Sequence, residues 1–369
     1  MKRPLMFVLF FLLSLSHTAR SSAQTANPSN GGQPRVVNAK LETRAVQGPL
    51  ESDFRALVAR TPGPAWIAYA VPEVPGDRTM CCGMYSDGMA YGCGRCRRES
   101  GSDNGISISS SDSHRVNLEG GSRISILFRV RDSAVERIRV FSEDCELDAG
   151  GLPLTWLTGV RPAESVALLA GYVTGTNADD RDARRRMHGA IAAIALHADA
   201  GALESLAAPG HPDELRKQVA FWLGEARGKA GLAVLKTMAH SDPSDTVRAH
   251  VPFALSVSRE PGAVDEMIRM AREDSSAHVR GQALFWLAQK AGKKAAGAIT
   301  DAIENDPNTE VKKKAVFALS QMPKDDGVPK LIEVARNNRN PAVRKQAMFW
   351  LGQSNDPRAL QFFEEILSH

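Results

Sequence analysis

The most reactive side chains of this sequence are five cysteines confined to one stretch: Cys81, Cys82, Cys93, Cys96 and Cys145. Three chemistries suit such a set. Thiols in an oxidising compartment close disulfides, which stabilise a small domain by roughly 2–4 kcal/mol per bridge, and an odd number leaves one thiol unpaired or engaged between chains. Two adjacent cysteines followed by Cys93-Gly94-Arg95-Cys96 supply enough thiolates for a tetrahedral zinc ion. Arg95, Arg97 and Arg98 would favour a redox-active thiolate. Redox Cys-x-x-Cys pairs, however, sit at a helix start after a strand, and Gly83, Gly88, Gly92 and Gly94 read as an irregular loop. Ser109-Ser110-Ser111-Asp112-Ser113-His114 holds serine, aspartate and histidine, but a triad is a spatial arrangement, and no nucleophile-elbow pattern accompanies it. No catalytic residue and no metal ligand set is assigned.

The start of the chain weighs on the choice. Met1 to Ala23 reads as a secretory signal, with Lys2 and Arg3 first, an apolar run from Leu5 to Leu15, and Ser21-Ser22-Ala23 as small residues for cleavage after Ala23. The run is too short for a comfortable membrane span, and retention as an anchor is the alternative. A secreted or periplasmic protein with no membrane span after cleavage is therefore expected, and in that compartment all five cysteines are disulfide candidates. Residues 24–50, rich in Ser, Asn, Gly and Pro, read as a flexible linker.

The elements that position the cysteines are strand-like. Residues 51–160 are expected to form a small β-rich domain. Trp66 to Val71 is a short apolar run, and Ile106-Ser107-Ile108 alternates apolar with polar. Arg123 to Arg131 and Val135 to Phe141 read as half-buried strands joined through Asp132-Ser133-Ala134 as a hairpin.

Residues 161–369 follow a different rule. Leu215-Arg216, Val247-Arg248, Val279-Arg280, Val311-Lys312 and Val343-Arg344 recur every 32 residues. Arg216-Lys217-Gln218-Val219-Ala220-Phe221-Trp222-Leu223-Gly224 returns four intervals later as Arg344-Lys345-Gln346-Ala347-Met348-Phe349-Trp350-Leu351-Gly352. Each interval holds two amphipathic helical patterns with a break, as in Ala263 to Glu273 and Val279 to Gln289. Units of this size bury a continuous core only by stacking. The fold class expected is α+β and multidomain: a small β-rich cysteine-containing domain, then an α-α solenoid of about six repeats. A degenerate copy at Ala183 to Ile191 is counted as the first of these, and Pro357 to His369 adds one last helix.

The second-helix pattern Val-Arg-x-x-Ala-x-x-Trp/Ala-Leu, with an acidic or amide residue six before the basic position, resembles HEAT repeats, in particular the bacterial phycobilisome-lyase HEAT-like variety. That resemblance implies a structural ladder linking successive repeats, carried here by Asp242, Arg248, Asp274, Arg280, Asp306, Lys312, Asn338 and Arg344. It also raises oxidoreductase or lyase activity by analogy, since similar repeats in deoxyhypusine hydroxylase bind a di-iron centre through His-Glu pairs. No His-Glu dipeptide occurs in this sequence, so that transfer rests on fold analogy alone.

On a helical wheel that counts the valine as zero, positions zero, four, seven and eight form an apolar side, and positions two, three, six and ten lie opposite. The seventh column alternates Trp222, Trp286 and Trp350 with Ala254 and Ala318, a 64-residue super-period expected in the core. The sixth column is Phe221, Phe253, Phe285, Phe317 and Phe349, five phenylalanines on the polar side. With Lys217, Gln218, His250, Gln282, Lys313, Lys314, Lys345 and Gln346 around them, they have the composition of a protein or peptide groove on the concave face. A half-covered position against the neighbouring second helix is the competing reading. On the groove reading, serine at Phe253, Phe285 and Phe317 leaves folding nearly intact.

The function expected is a non-catalytic protein-interaction scaffold or adaptor of the cell envelope, needing no cofactor, with a protein or peptide partner. Basic runs such as Lys312-Lys313-Lys314 favour an acidic partner, and secretion argues against nucleic acid. The alternative is a metal- or redox-dependent activity centred on Cys81, Cys82, Cys93 and Cys96.

Overall fold

Both faces of strand Ala65–Pro72 are apolar, and the architecture follows from covering them. A computed structural model describes residues 35–75, 96–97, 122–143, 145, 147–174, 180–199 and 201–368. In chain order the first elements are β1 (Val36–Val37), β2 (Lys40–Ala45), α1 (Leu50–Ala59), β3 (Ala65–Pro72), β4 (Cys96–Arg97), β5 (Arg123–Arg131), β6 (Ala134–Ser142), β7 (Leu147–Asp148) and β8 (Pro153–Thr158). Then come α2 (Pro162–Ala170), α3 (Arg181–Leu196), α4 (Gly201–Leu206), α5 (Asp213–Ala226), α6 (Gly228–Ser241), α7 (Asp245–Val257) and α8 (Gly262–Glu273). The chain ends with α9 (Ala277–Ala291), α10 (Lys293–Asn305), α11 (Thr309–Ser320), α12 (Lys324–Asn337), α13 (Pro341–Gln353) and α14 (Pro357–Leu367).

Five strands form one sheet in the order β2-β8-β3-β5-β6, with β2 and β3 parallel to β8 and the β3, β5, β6 run antiparallel. The expected hairpin is present, tightened to two residues. Asp132 and Ser133 both take positive φ, 52° and 55°, which matches the right-handed twist of the flanking strands. β1, β7 and β4 make a small parallel sheet. The expected signal, Met1 to Ala23, and Cys81, Cys82 and Cys93 lie outside the described residues, as do Ile106 to Ile108; of Cys96 only the backbone is described. Cys145 is buried, 1% exposed.

The linker expected over residues 24–50 is corrected in its second half. Lys40–Ala45 is an edge strand in register with Pro153–Thr158, and Arg44 forms a bidentate ion pair with Asp53 of α1. Polar composition misled because an edge strand needs few apolar residues when neighbouring strands fill the core.

Alternation divides β3 between two cores. Trp66, Ala68 and Ala70 join Leu127, Phe141, Cys145, Leu154 and Trp156 on one face. Ile67, Tyr69 and Val71 join Phe54 of α1, Phe128, Ile138 and the helices on the other, in a core that runs without interruption to Phe362 of α14. Residues Gly32–His369 accordingly form one compact unit, in which the sheet takes the place of a terminal repeat. The join is close. A Cβ on Gly189 of α3 would lie 2.3 Å from the Ile138 carbonyl oxygen of β6. Past α3, Ala198 N–H donates to Pro72 O at 2.9 Å and Val74 N–H to Leu196 O at 2.9 Å.

His197 sits at that join with no exposed surface. Burial pushes its imidazole down from 6.5 to about 4, and His250 is pushed to about 4 chiefly by the same cause. The unfolded chain takes up these protons near pH 6.5 while the folded protein resists them to about 4, so stability present above about 6.5 falls as the pH drops through that window. His197 alone can contribute up to about 3 kcal/mol of this loss. Urea unfolding across pH 7 to 4 should show it, and His197→Gln should flatten the slope; an unchanged slope would assign the loss to other groups.

Six helix pairs stack from α2 and α3 to α12 and α13, with α14 closing the last. The second helices α5, α7, α9, α11 and α13 pack along one another closely, whereas consecutive first helices touch sparingly. That inequality curves the stack toward the second helices, placing them on its inner side.

Candidate functional site

Turn chemistry sets the phase of each second helix. The Oδ1 atoms of Asp242, Asp274, Asp306 and Asn338 accept the backbone N–H two residues on, at 2.8 to 3.0 Å. The three aspartate carboxylates also reach back one repeat. Arg216 pairs with Asp242, Arg248 donates to Asp274 at 2.9 and 3.2 Å, and Arg280 donates to Asp306 at 2.7 and 3.0 Å. The residue six positions upstream of each arginine contributes its backbone instead. Asp242 O accepts from Arg248, Asp274 O from Arg280 and Asn338 O from Arg344, each at 2.8 Å. The ladder thus runs between residues 26 apart. It stops at Lys312, whose Nζ donates to Glu304 O at 2.5 Å, while Asn338 donates to the Glu304 carboxylate at 3.1 Å. A second series, not evident in the sequence, joins Ser276 to Asp245 and Asn340 to Thr309, both at 3.0 Å.

With the helices so phased, the phenylalanine and tryptophan columns meet. Phe221 stacks on Phe253 at 5.7 Å, and Phe253 leans on Trp286 at 4.8 Å. Phe285 stacks on Phe317 at 6.0 Å, and Phe317 leans on Trp350 at 4.9 Å. Trp286 also touches Phe285, and Trp350 touches Phe349, both edge-on at 5.0 Å. One run of rings therefore extends from Phe221 to Phe349. The 64-residue alternation acquires a physical meaning: where the seventh column holds Ala254 or Ala318, successive Phe rings lie parallel, and where it holds Trp the preceding Phe tilts onto the indole.

The expected separation of core tryptophans from open phenylalanines is corrected accordingly. Trp222 is buried, but Trp286 and Trp350 are half-buried, as are Phe221, Phe253, Phe285 and Phe317. Serine at Phe253, Phe285 and Phe317 would break ring contacts between repeats, so that triple variant should lose stability as well as any binding surface. Only Phe349 of this column is open, at 55% exposure.

The polar positions are also partly engaged. Lys217 pairs with Glu214 at 2.5 Å and Lys313 with Glu310 at 3.0 Å. Gln218 hydrogen-bonds His188 at 2.7 Å, and His250 sits edge-on to Phe253 at 5.3 Å. Lys314 lays its stem over Gly281. Gln282 and Gln346 are half-buried and Lys345 is exposed. Among the described residues, no group of three or more His, Cys, Asp or Glu side chains could hold a metal ion, and no helix is long and apolar enough to cross a membrane.

The sequence pattern of HEAT repeats matches residues 200–288 and 297–369. The helical part has the fold of a HEAT-like solenoid. HEAT repeats commonly serve as protein-interaction scaffolds. No curated protein matches the chain. Among solved structures, the chain is similar to YibA of Escherichia coli at 24% identity, covering 46% of this chain and 64% of that one with a TM-score of 0.33. Human deoxyhypusine hydroxylase in complex with glycerol aligns at 15% identity over 55% of this chain and 89% of that one, TM-score 0.29. A chain of the Kap95p–RanGDP structure aligns at 18% identity over 53% and 30%, TM-score 0.36. The chain therefore spans 64% of the length of YibA.

Proposed function

We propose that this protein is a non-catalytic scaffold or adaptor of the cell envelope, exported by its N-terminal segment, whose HEAT-repeat inner face binds a protein or peptide partner. The observation that carries the proposal is the ring run itself: a half-covered aromatic series on the inner helices, opening at Phe349. Rigid aromatic surface amid amide and lysine side chains is what an interface needs, because it gives contact area at low conformational cost. A disulfide framework around the buried Cys145 belongs to the same reading, since an oxidising compartment permits it.

The test separates binding from packing. Phe349→Ser should cost about 0.5 kcal/mol of stability and lower partner capture from envelope extract by about tenfold or more. Phe317→Ser, between Phe285 and Trp350, should cost about 2–3 kcal/mol. Unchanged capture by Phe349→Ser would defeat the proposed surface.

A further inference from the structure

α14 carries an apolar face that the preceding repeats cover and that here stays open. In α12, which packs on α13, Val328, Leu331, Val334 and Ala335 are all buried. Thirty-two residues on, the same columns of α14 hold Leu360, Phe363, Ile366 and Leu367. Leu360 is 62% exposed and Leu367 84%, Ile366 is also exposed, and Phe363 is half-buried. No second helix follows α14 among the described residues.

The adjoining second helix, α13, is shaped for the same neighbour. Its run from Arg344 to Gly352 differs from Arg216 to Gly224 of α5 only at Ala347 and Met348. In α5 that face is covered: Phe221 stacks on Phe253 of α7, and a Cβ on Gly224 would run into the Ala254 carbonyl of α7. In α13, Phe349 is open, and a Cβ on Gly352 would meet nothing within 4 Å. Gly352 does not take positive φ, so no turn requires it, and glycine inside a helix is unfavourable unless another backbone must come close. The ladder stops at the same edge. Arg344 donates to the Asn338 and Arg339 carbonyls and, unlike Arg216, Arg248 and Arg280, to no carboxylate among the described residues.

The alternation of the seventh column says which helix fits. α5 and α9, which bear tryptophan there, are each followed by a second helix that bears alanine, α7 and α11. α13 bears Trp350, so it is not its own complement. The alanine-bearing helices of a second copy are already packed in that copy's stack. The occupant is therefore a helix from another polypeptide.

We propose that an amphipathic helix of the partner polypeptide docks in the angle between α13 and α14 as the second helix of a seventh pair. It lies parallel to α13, as α7 lies beside α5, with its backbone crossing Gly352 and a phenylalanine, followed by a small residue, stacked on Phe349. Its apolar stripe covers Leu360, Ile366 and Leu367. This deepens the proposed partner-binding role and rests on it. A repeat buries its apolar face only against a neighbour, and a helix laid in a groove supplies that neighbour from outside.

The probe is a labelled synthetic peptide of residues 242–258, the turn and helix that cover α5, titrated into the full chain by fluorescence anisotropy. The same peptide carrying Phe253→Ser should bind at least about tenfold more weakly. Gly352→Leu is the decisive variant of the chain. Its side chain enters open space, so the melting temperature should not fall, yet it blocks the close approach and should weaken the peptide at least about tenfold. Equal binding of the two peptides, undiminished binding by Gly352→Leu, or no binding up to about 1 mM overturns the proposal. Should Gly352→Leu melt below the native chain, Leu360→Ser at its exposed position should show at least about a threefold loss, and no loss overturns it equally. Sedimentation of the chain alone should give a monomer; a dimer that Gly352→Leu dissociates would put a second copy on this face and overturn the partner reading. The titration needs no natural partner, so its failure leaves the Phe349→Ser capture test standing, and the failure of that test leaves the titration readable.

Discussion

Gly189→Leu should detach the sheet from the solenoid. Even a methyl group at this position would lie 2.3 Å from the Ile138 carbonyl oxygen and 2.9 Å from the Ile138 Cβ. Both belong to a central part of β6, which cannot yield as a flexible side chain could. Relief requires α3 to move off β6, which opens the core containing Ile138, Ile191 and Ile194. Overpacking of this kind costs about 1–3 kcal/mol where the surroundings can adjust, and a backbone-on-backbone clash falls at or above the upper end. The expected result is a loss of about 3 kcal/mol or more, with the sheet protons exchanging before those of the distal repeats. Gly189→Ala should be milder in the same direction. A leucine variant with native stability would show that the sheet is not the terminal cap of the stack.

Asp306→Ala should cost about 3 kcal/mol and divide the solenoid in two. Arg280 and Asp306 are each 8% exposed, and the pair is bidentate. Deleting the carboxylate leaves a guanidinium with little solvent to replace it, and the penalty for one such buried charge is about 3–5 kcal/mol when burial is complete. The same substitution removes the acceptor of the Asn308 N–H, held at 2.8 Å. Asp306→Asn keeps that turn bond and should lose less, in the way Asn338 retains its bond to Asn340 at 3.0 Å without an arginine partner. Because repeats exchange energy only with their neighbours, weakening one interface uncouples the segments on either side. Hydrogen exchange should therefore show α10 to α14 losing protection ahead of α3 to α8. A single transition with uniform loss of protection would mean that this rung does not carry the coupling.

Much of the helical half was legible because its physics is local. A period of 32 residues, two amphipathic patterns per period and turn residues between them leave few ways to bury the apolar face. Among the described residues, α2 to α14 make six pairs and a closing helix. The sheet was legible only in its hairpin and in β3, where alternation and turn chemistry are strong. The helix at Leu50–Ala59 was missed although Leu50, Phe54, Leu57 and Val58 carry a helical spacing; its signal lay at the edge of a stretch read as linker. The strand at Pro153–Thr158 was missed because its parallel partners are remote in sequence.

By itself, then, the sequence determined the repeat, its two-helix content and which columns are apolar, because spacing along one helix fixes which residues share a face. Contacts between helices do not follow from spacing within one. Only the tertiary structure decided that each arginine reaches the aspartate 26 residues ahead. It also decided that the phenylalanine and tryptophan columns close into one run of rings, and that a sheet face caps the stack. Those outcomes depend on the tilt and offset with which one helix packs on the next, quantities that side-chain shape sets across an interface and no single periodicity encodes.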